Sequence, residues 1–454
     1  MPRHLPETCP SRPRSSRSGR CFKIRVITPM FGGVEPGLND PVTLIRPSSI
    51  EGALLFWWRA TVGRQFATHE EMAMAEKEIW GSTKSAGKVR LHVSVTNQGI
   101  PCEDSRVSAP KYAVFPFNAT QVAKARFGIE FCLELEYPPD FENAILLTVR
   151  AWTNFGGVGA RWRRGCGALY CEETAPANSG AVAAWWQDLQ DSVGNFQGEP
   201  HWTLLGERLL LKATNDRNNR ATNAAFDAWK AAISPLSDFR QKEGLGRNCG
   251  GMREIRVGPK AGQQAYSPGR SRWPEAESLK MRTGAVAPTH ANPLTLQDLN
   301  AHPAFPRATF GLPIVMKFLP DPEERPNSGS LLPKGAERMA SPVILRPWLL
   351  ADGSWYALAH QLSAPLPAEI EYSFVPQAEG GYAPDSHTNQ QQRFRWDIPG
   401  GVNALRGSRL ASYRNSPMGN DSQGNRRSES GDALEAFMAY LRSLHFREPA
   451  AIGG

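Results

Sequence analysis

Apolar and polar positions alternate with a period of two in some stretches of the chain and with a helical period in others. Residues 129–137 show the clearest alternation, with Ile, Phe, Leu, Leu and Tyr at every second position. This is typical of a strand with one buried face. Residues 47–66 place Ile50, Leu54 and Trp57 on one side of a helix, and Ser48 followed by Glu51 predicts a capping box. The pattern therefore predicts a mixture of strands and helices.

The first 175 residues predict the element order βαββαβ. Strands are predicted at 21–31, 88–95, 129–137 and 168–171, and helices at 47–66 and 140–153. This order is the ferredoxin-like pattern, whose four-stranded sheet is the surface on which RNA-recognition domains display aromatic and basic side chains. Later segments predict a second α+β domain, with helices at 181–193, 218–233 and 432–444 and strands at 310–319, 341–350 and 354–362.

The segment NFGGVGARWRRGCGALY, residues 154–170, joins the last predicted helix of this unit to its last strand. It holds five glycines and three arginines and no acidic residue. It is not a P-loop, because no Lys-Ser or Lys-Thr follows the glycines, and Trp162 stands where a dinucleotide fingerprint needs its third glycine. Two interpretations stay open: a loop whose arginines are merely solvated, and a loop that binds a phosphate backbone.

Charge makes nucleic acid the favoured ligand class. The chain has a formal net charge of +8 and 39 arginines against 13 lysines, and arginine suits bidentate phosphate contacts and stacking on bases. Basic residues are concentrated at 240–290 and 393–427. No apolar run is long enough to cross a membrane. The first twenty residues contain five arginines and no apolar core, so we expect a disordered basic tail at 1–20.

The cysteines and histidines suggest neither a metal site nor a cofactor. Seven cysteines form no CxxC pair, and their odd number is typical of free thiols in a reducing cytoplasm. No pair of histidines has metal-ligand spacing. We therefore predict no metal, no small-molecule cofactor and a cytoplasmic location.

Three motifs resemble the RAMP proteins of type III CRISPR effector complexes. TPMFGG at 28–33, IRPSSIEGALLFWWRA at 45–60 and NFGGVGARWRRGCGAL at 154–169 are similar to the first subunit of the Cmr (type III-B) complex, and the resemblance extends from residue 21 to about 350. It implies two ferredoxin-like (RRM/RAMP) domains with long Gly/Arg-rich loops. The expected boundaries are 21–175 for the first domain and 176–454 for a helical insertion and the second domain, with a mobile loop at about 377–430.

The resemblance also implies a function. Such a subunit binds crRNA and single-stranded target RNA, holds the 3′ part of the guide, contacts other RAMP subunits and leaves target cleavage to a different subunit. The glycines would let the backbone approach RNA, and the arginines would neutralise phosphates. The candidate RNA-binding residues are Arg46, Trp58, Arg59, Asn154, Gly156, Gly157, Gly159, Arg161, Trp162, Arg163, Arg164, Arg270 and Arg272.

Position refines the roles of these candidates. Trp57 shares the apolar stripe of its helix and is expected in the core, whereas Trp58 lies at the edge of the stripe and Arg59 beyond it. Arg59 would face RNA or a neighbouring subunit. Arg46 precedes a helix N-terminus, where an anion is favoured. Arg270 and Arg272 flank turn residues and would make a second phosphate contact.

Two other functions stay open. The first is an RNA-cutting RAMP nuclease, because Asp40 lies in the loop 32–41, where a catalytic relative carries its acid. Against it, no histidine lies in the glycine-rich motif or beside the Trp-Trp-Arg helix, and metal-free RNA cleavage needs a general acid or base. The second is a scaffold that contacts only proteins.

Overall fold

The computed structural model describes the larger part of the chain. It comprises residues 18–32, 38–40, 42–104, 108–194, 200–214, 221–254, 259, 261–267, 269, 271–282, 305–317, 328–374, 394–398, 417–419, 427 and 432–452. Within it, no helix is both long enough and apolar enough to cross a membrane. The six cysteines it includes are free thiols.

The N-terminal half is built on a four-stranded antiparallel sheet in the order β4–β5–β1–β6. Its strands are β1 (Ser18–Val26), β4 (Arg90–Pro101), β5 (Arg126–Tyr137) and β6 (Leu169–Tyr170), and a small hairpin, β2 (Gly81–Ser82) with β3 (Ser85–Ala86), precedes β4. Its helices are α1 (Pro47–Ala60), α2 (His69–Trp80), α3 (Lys111–Val114), α4 (Ala119–Lys124) and α5 (Glu142–Phe155). The predicted order βαββαβ is therefore present, with α2, α3 and α4 added.

The second half contains a three-stranded antiparallel sheet in the order β12–β13–β7. Its strands are β7 (Leu204–Ala213), β12 (Val343–Leu349) and β13 (Trp355–Ser363), and its helices are α6 (Val182–Val193), α7 (Ala221–Gln241) and α9 (Ala433–Ser443). Helix α7 packs on β12 and β13, and α9 packs on α7. After α9 the chain returns to the sheet, where Leu211 and Arg447 exchange backbone hydrogen bonds of 2.9 and 2.7 Å.

Further elements lie between α7 and β12 and after β13. They are β8 (Gly251–Glu254), β9 (Gln264–Ser267), α8 (Glu275–Arg282), β10 (Ile314–Met316), β11 (Gly329–Pro333), β14 (Ile370–Phe374) and β15 (Phe394–Ile398). Strands β10, β11, β14 and β15 form a second four-stranded sheet with its own apolar cluster. The sheet is therefore an addition to the second half with a core of its own.

The two halves share one apolar core. A single cluster of buried side chains includes Trp57 of α1, Trp152 of α5, Trp186 of α6 and Trp348 of β12. Burying such large rings is worth roughly 1.5–3 kcal/mol each relative to exposure. The junction between α1, α5 and the second sheet is therefore held mainly by aromatic packing.

Several boundaries differ from those predicted. β1 begins at Ser18, inside the segment expected to be a disordered tail, and residues 394–398 form a strand within the segment expected to be a mobile loop. The rest of 1–20 and most of 377–430 lie outside the described residues. The predicted capping box at Ser48 and Glu51 is wrong, because Pro47 takes the first helical position and Arg46 is the N-cap. Helix α2, which no pattern had predicted, carries a true capping box of Thr68 and Glu71.

Candidate nucleic-acid interface

The glycine loop, residues 154–167, runs from the end of α5 towards β6. Its backbone amides serve the protein itself: Val158 donates to the Gly167 carbonyl at 2.9 Å, Ala160 to that of Phe31 at 2.5 Å, and Gly167 to that of Pro29 at 2.8 Å. These groups are not available to an anion. The expected cradle of free amides is therefore wrong for this part of the loop, which is held tightly against residues 29–31.

Close packing explains the glycines of the loop. A Cβ atom on Gly156 would lie 2.5 Å from Nε1 of Trp57, and one on Gly157 would lie 2.8 Å from Cβ of Trp162. Both glycines are buried, so the predicted RNA contacts at Gly156 and Gly157 are wrong. Gly159 is exposed and has a φ of +76°, a conformation that favours glycine. Only Gly159 of these three stays a candidate for backbone contact with RNA.

The three arginines of the loop have different surroundings. Arg161 is half-buried and donates to the Ala113 carbonyl, and its guanidinium lies 5.0 Å from the ring centre of Phe115. Arg163 is also half-buried, donates to the Ser341 carbonyl at 2.6 Å and lies over the rings of Phe56 and Trp162. No carboxylate pairs with either guanidinium in the described part of the chain. Their positive charges are therefore uncompensated by ion pairs.

Arg164 faces inward. Its side chain is buried and donates to the Val343 carbonyl of β12 at 2.7 Å, so the predicted phosphate contact is wrong. Burial lowers the pKa of Arg163 and of Arg164 to about 10. Both side chains thus remain protonated at neutral pH, and Arg164 contributes a buried positive charge beneath the loop.

Arg346 of β12 fixes the loop from the second half of the chain. It is fully buried and donates to the carbonyls of Gly156 at 2.6 Å, of Thr153 at 3.3 Å and of Leu169. Burial lowers its pKa to about 9. Its role was not predicted from the sequence, although one arginine in the apolar run VILRPWLL is a signal of a buried polar contact.

Asn154, like Arg346, holds the glycine loop by hydrogen bonds inside the protein. Its side-chain oxygen accepts a hydrogen bond from Nε1 of Trp348 at 2.9 Å, and its amide nitrogen donates to the carbonyls of Arg150 and Thr174 at 2.9 and 3.1 Å. The residue is 3% exposed. Its predicted contact with RNA is wrong because its hydrogen bonds are already used inside the protein.

A cleft of about 700 Å³ opens on the outer side of the loop. We call it the α1 cleft. One wall is α1 from residue 49 to residue 57, the second is residues 157–163 of the glycine loop, and the third is residues 39, 40 and 43–46. Its charged lining residues are Arg46, Arg161, Arg163 and Asp40, and its ring-bearing residues are Phe56, Trp57 and Trp162. The cleft is therefore basic, apolar on one side and open to solvent.

Asp40 and Arg46 form an ion pair in the third wall. The carboxylate accepts from Arg46 Nε at 3.1 Å and Nη2 at 2.7 Å, and from the backbone amides of Val42 and Thr43 at 2.9 and 3.2 Å. The hydrogen bond from the backbone amide of Val42 is the largest cause that holds the pKa of Asp40 below its usual range, and the hydrogen bond from Arg46 is the second. Since a carboxylate has about four acceptor positions, Asp40 is saturated, and Arg46 is not a free cation for phosphate.

The other predicted contacts on α1 are corrected by burial and pairing. Trp57 is in the core as expected, but Trp58 is also fully buried, packs beside Phe66 and cannot contact RNA. The reason is a second packing surface on α1, supplied by residues 62–66 and α2. Arg59 pairs with Glu76 of α2. Arg59 is thus a partly exposed ion-pair residue and its role towards a partner stays a prediction.

Arg272 is not among the residues that line the α1 cleft. It donates to the Gly244 carbonyl, and burial lowers its pKa. Arg270 is outside the described residues, so the predicted second phosphate site stays a prediction.

Phe115 is a candidate that the sequence analysis missed. Its ring is 70% exposed and stands beside the guanidinium of Arg161. Exposed rings next to arginine are suited to stacking on bases. The signal was the run KYAVFPFN, in which two phenylalanines and a tyrosine follow a lysine outside any long helix. The half-buried Trp162, which packs on Phe56 and Trp57, is less accessible than expected.

The open face of the N-terminal sheet is poorly suited to RNA. Its central strand β5 presents Glu130, Glu134 and Glu136, and its pairing places Arg25 opposite Glu130. RNA-recognition domains stack bases on aromatic side chains at this face, whereas here the central strand presents acids that repel phosphate. Arg161 and Arg163, which have no carboxylate partner among the described residues, lie at the α1 cleft instead. Among the described residues, no group of three or more His, Cys, Asp or Glu side chains lies close enough to hold a metal ion.

Comparison with known proteins gives a family match over the part of the chain that contains the motifs lining this cleft. The family model described as the RAMP superfamily matches residues 23–170. The match covers about a third of the chain. The matched region contains α1 and the glycine loop, and so most of the α1 cleft.

One curated relative and two solved structures describe the similarity further. The chain is 29% identical over 136 residues to the CRISPR system Cmr subunit Cmr1-1 of Pyrococcus furiosus, a match that covers 28% of this chain and 40% of that protein. The matched part is thus less than half the length of the relative. The crystal structure of Cmr1 from Pyrococcus furiosus, in its apo form, is 16% identical and covers 80% of this chain and 92% of that one, with a TM-score of 0.43. A cryo-EM structure of the type III-B Cmr-beta complex bound to cognate target RNA contains a chain that is 12% identical, with 76% and 96% coverage and a TM-score of 0.42.

Proposed function

We propose that this chain is a non-catalytic RNA-binding subunit of a type III-B CRISPR (Cmr) ribonucleoprotein in the cytoplasm. It binds crRNA and single-stranded target RNA, holds the 3′ part of the guide and contacts other RAMP subunits. The sequence relationship to a Cmr subunit supports the assignment to the complex. The α1 cleft supports RNA as the ligand.

The observation that carries the proposal is the charge of the α1 cleft. Arg161 and Arg163 line it without a carboxylate partner in the described residues, and Asp40, the one acidic residue among the lining residues that the structure describes, is paired with Arg46. The exposed Gly159 leaves room beside them. Phosphates of a single strand would lie against these two arginines, and the ring of Phe115 would stack on a base that follows.

We also propose that both halves are ferredoxin-like domains. In the second half, β7, α7, β12, β13, α9 and the segment at Arg447 follow one another as βαββαβ, and the pairing order β12–β13–β7–Arg447 is that of the first sheet. Strands β8 to β11 and helix α8 then lie within a long insertion between α7 and β12. The shared order supports a duplication of one domain.

The test is salt-dependent RNA binding by the full chain. Arg161→Gln and Arg163→Gln are combined, because glutamine removes the charge but keeps an amide that can donate to the carbonyls of Ala113 and Ser341. Fluorescence anisotropy with single-stranded RNA is measured over a series of salt concentrations. We expect the slope of log affinity against log salt to fall by about 0.7 for each lost contact, about 1.4 in total.

The matched control is Arg208→Gln with Arg253→Gln, since both side chains are exposed on strands remote in sequence from the cleft. The control should keep the wild-type slope. Equal slopes in all three proteins would contradict the proposal and favour a scaffold that contacts only proteins.

The same RNA tests for nuclease activity. End-labelled RNA is incubated with the wild-type chain, with a divalent metal and with chelator, and we expect a shifted band without fragments. Discrete fragments that disappear in Asp40→Asn would support the nuclease alternative. The saturated hydrogen bonding of Asp40 argues against it, because a general base needs a free acceptor within reach of its proton.

A further inference from the structure

A short segment of the second half, residues 338–341, leads from the α1 cleft to a second cleft. Ala340 lines the α1 cleft, and the carbonyl of Ser341 accepts the hydrogen bond of 2.6 Å from Arg163. Arg338 lines a cleft of about 600 Å³ beside strands β11 and β14. We call it the β11 cleft. The segment 338–341 therefore connects the walls of the two clefts.

Backbone pairing determines which way the side chains of this segment point. Met339 exchanges backbone hydrogen bonds of 2.9 and 3.1 Å with Leu312, and its half-buried side chain packs on the apolar cluster of the second four-stranded sheet. Successive side chains of an extended segment point to opposite faces. Arg338 and Ala340 therefore share the face opposite Met339, and both are exposed. Since Ala340 lines the α1 cleft, Arg338 is presented on the same side of the segment.

Arg338 carries an unpaired charge at this position. Its side chain has no ion-pair or hydrogen-bond partner within the part of the chain that the structure describes. Arg395, which lines the same cleft, is paired with Glu371 at 2.8 Å. Glu337 is the one acidic residue among the described lining residues, and Ser330 adds a hydroxyl group. Arginine and serine side chains are typical contacts of phosphate oxygens. With one unpaired cation beside one acid, the cleft is suited to a single phosphate contact.

The spacing between the arginines suits one continuous strand. Arg338 lies three residues before Ser341, the residue to which Arg163 donates. Their Cα atoms are therefore at most about 10–11 Å apart. A stacked single strand advances about 3.4 Å per nucleotide, so that this separation corresponds to about three nucleotides. A strand with one phosphate on Arg163 thus brings a further phosphate to Arg338.

We propose that single-stranded RNA bound in the α1 cleft continues along residues 338–341 and that Arg338 neutralises one further phosphate at the edge of the β11 cleft. The proposal rests on the proposed RNA-binding function and extends the RNA path beyond the α1 cleft. The RNA then contacts both halves of the chain, Arg161 and Arg163 in the first and Arg338 in the second.

The test measures how the length of the RNA changes the effect of Arg338. Oligouridines that grow by one nucleotide at a time are titrated with the full chain, with Arg338→Gln and with Arg338→Lys. Fluorescence anisotropy gives the affinity over a series of salt concentrations. Arg253→Gln is the matched control, because Arg253 is also exposed and is not among the residues that line either cleft.

For the shortest RNA that binds, we expect the same slope of log affinity against log salt in all four proteins, because this RNA occupies only the α1 cleft. For RNAs about three or more nucleotides longer, Arg338→Gln should reduce the slope by about 0.7. Arg338→Lys keeps the positive charge, so it should keep the wild-type slope, as should Arg253→Gln.

The other outcomes separate this proposal from the proposed function. A wild-type slope for Arg338→Gln at every length would overturn the proposal and leave RNA binding by the α1 cleft intact. A loss that is already complete with the shortest RNA would also overturn it, since Arg338 would then act within the first site. If the wild type binds no RNA of the series, the proposed function itself is wrong.

Discussion

The wall of the α1 cleft has an inner side, which faces the protein core, and an outer side, which faces the cleft. The two sides are built from the same residue types but have opposite surroundings. On the inner side, Arg346 and Arg164 are buried against backbone carbonyls and Trp58 is packed in the core. On the outer side, Arg163 and Trp162 are half-buried and line the cleft. The difference shows that arginine and glycine content marks this segment as special without telling which of its residues meets a ligand.

The two sides differ in how many backbone carbonyls their arginines donate to. A loop that turns sharply leaves carbonyl oxygens inside the protein, and guanidinium groups with five donors can satisfy several at once. Arg346 does so for three carbonyls of the segment 153–169. Arg161 donates to the carbonyls of Tyr112 and Ala113, and Arg163 donates to that of Ser341. Each therefore uses only part of its five donors on the protein.

The largest effect that would sharpen the comparison is expected at α1. Trp58→Ala should lower the free energy of unfolding by about 3–5 kcal/mol, because it leaves a cavity in the core. The adjacent Arg59→Ala should cost only about 0.2–1 kcal/mol, since it breaks a partly exposed pair with Glu76. Urea unfolding of both variants measures the difference. Similar losses would contradict the assignment of the two faces.

Arg346→Leu comes next. It leaves three buried carbonyl groups of the glycine loop without their donor, and we expect a loss of about 3 kcal/mol in the free energy of unfolding. Arg208→Leu, at an exposed position on β7, should have little effect in the same urea titration. A small loss for Arg346→Leu would mean that water or other groups replace the guanidinium, and that the inner side is less dependent on charge than we infer.

The smallest effect is a pH dependence from His360, which lies behind the loop with its ring centre 4.8 Å from that of Phe155. Burial lowers its pKa to about 4 from the ordinary value of 6.5. The unfolded chain therefore binds a proton first as the pH falls, and stability present above about pH 6.5 is lost as the pH falls towards 4. Between pH 6.5 and 5 the wild type should lose about 2 kcal/mol that His360→Gln does not lose. Parallel pH profiles of urea unfolding would contradict this.

The elements that could be predicted are those in which the apolar residues of the element itself recur at a regular spacing. Strand β5 alternates strictly, and helix α5 has a continuous apolar face, so both were predicted within three residues of their observed ends. Helix α2 was missed although Thr68 and Glu71 carry the capping signal. Its apolar face is weak, with only Met72, Ile79 and Trp80 buried, and the acidic residues around them obscured the pattern.

The site was only partly predictable because its contacts are remote in sequence. Gly159, Arg161, Trp162 and Arg163 do line the α1 cleft. The burial of Arg164 and Asn154, by contrast, depends on Val343 and Trp348, which are far along the chain. No local pattern indicates that β12 would fill this position.

The position of Arg346 in the chain has a consequence for biosynthesis. The glycine loop and β6 are complete at residue 170, whereas the guanidinium that binds their carbonyls comes from residue 346. At translation rates of about 5–20 residues per second, the glycine loop therefore waits roughly ten seconds or more for Arg346. During that time the inner side of the loop is exposed on the nascent chain. Premature termination before β12 would thus release a sheet whose glycine loop has not been anchored, and such fragments are expected to be substrates for chaperones and proteases.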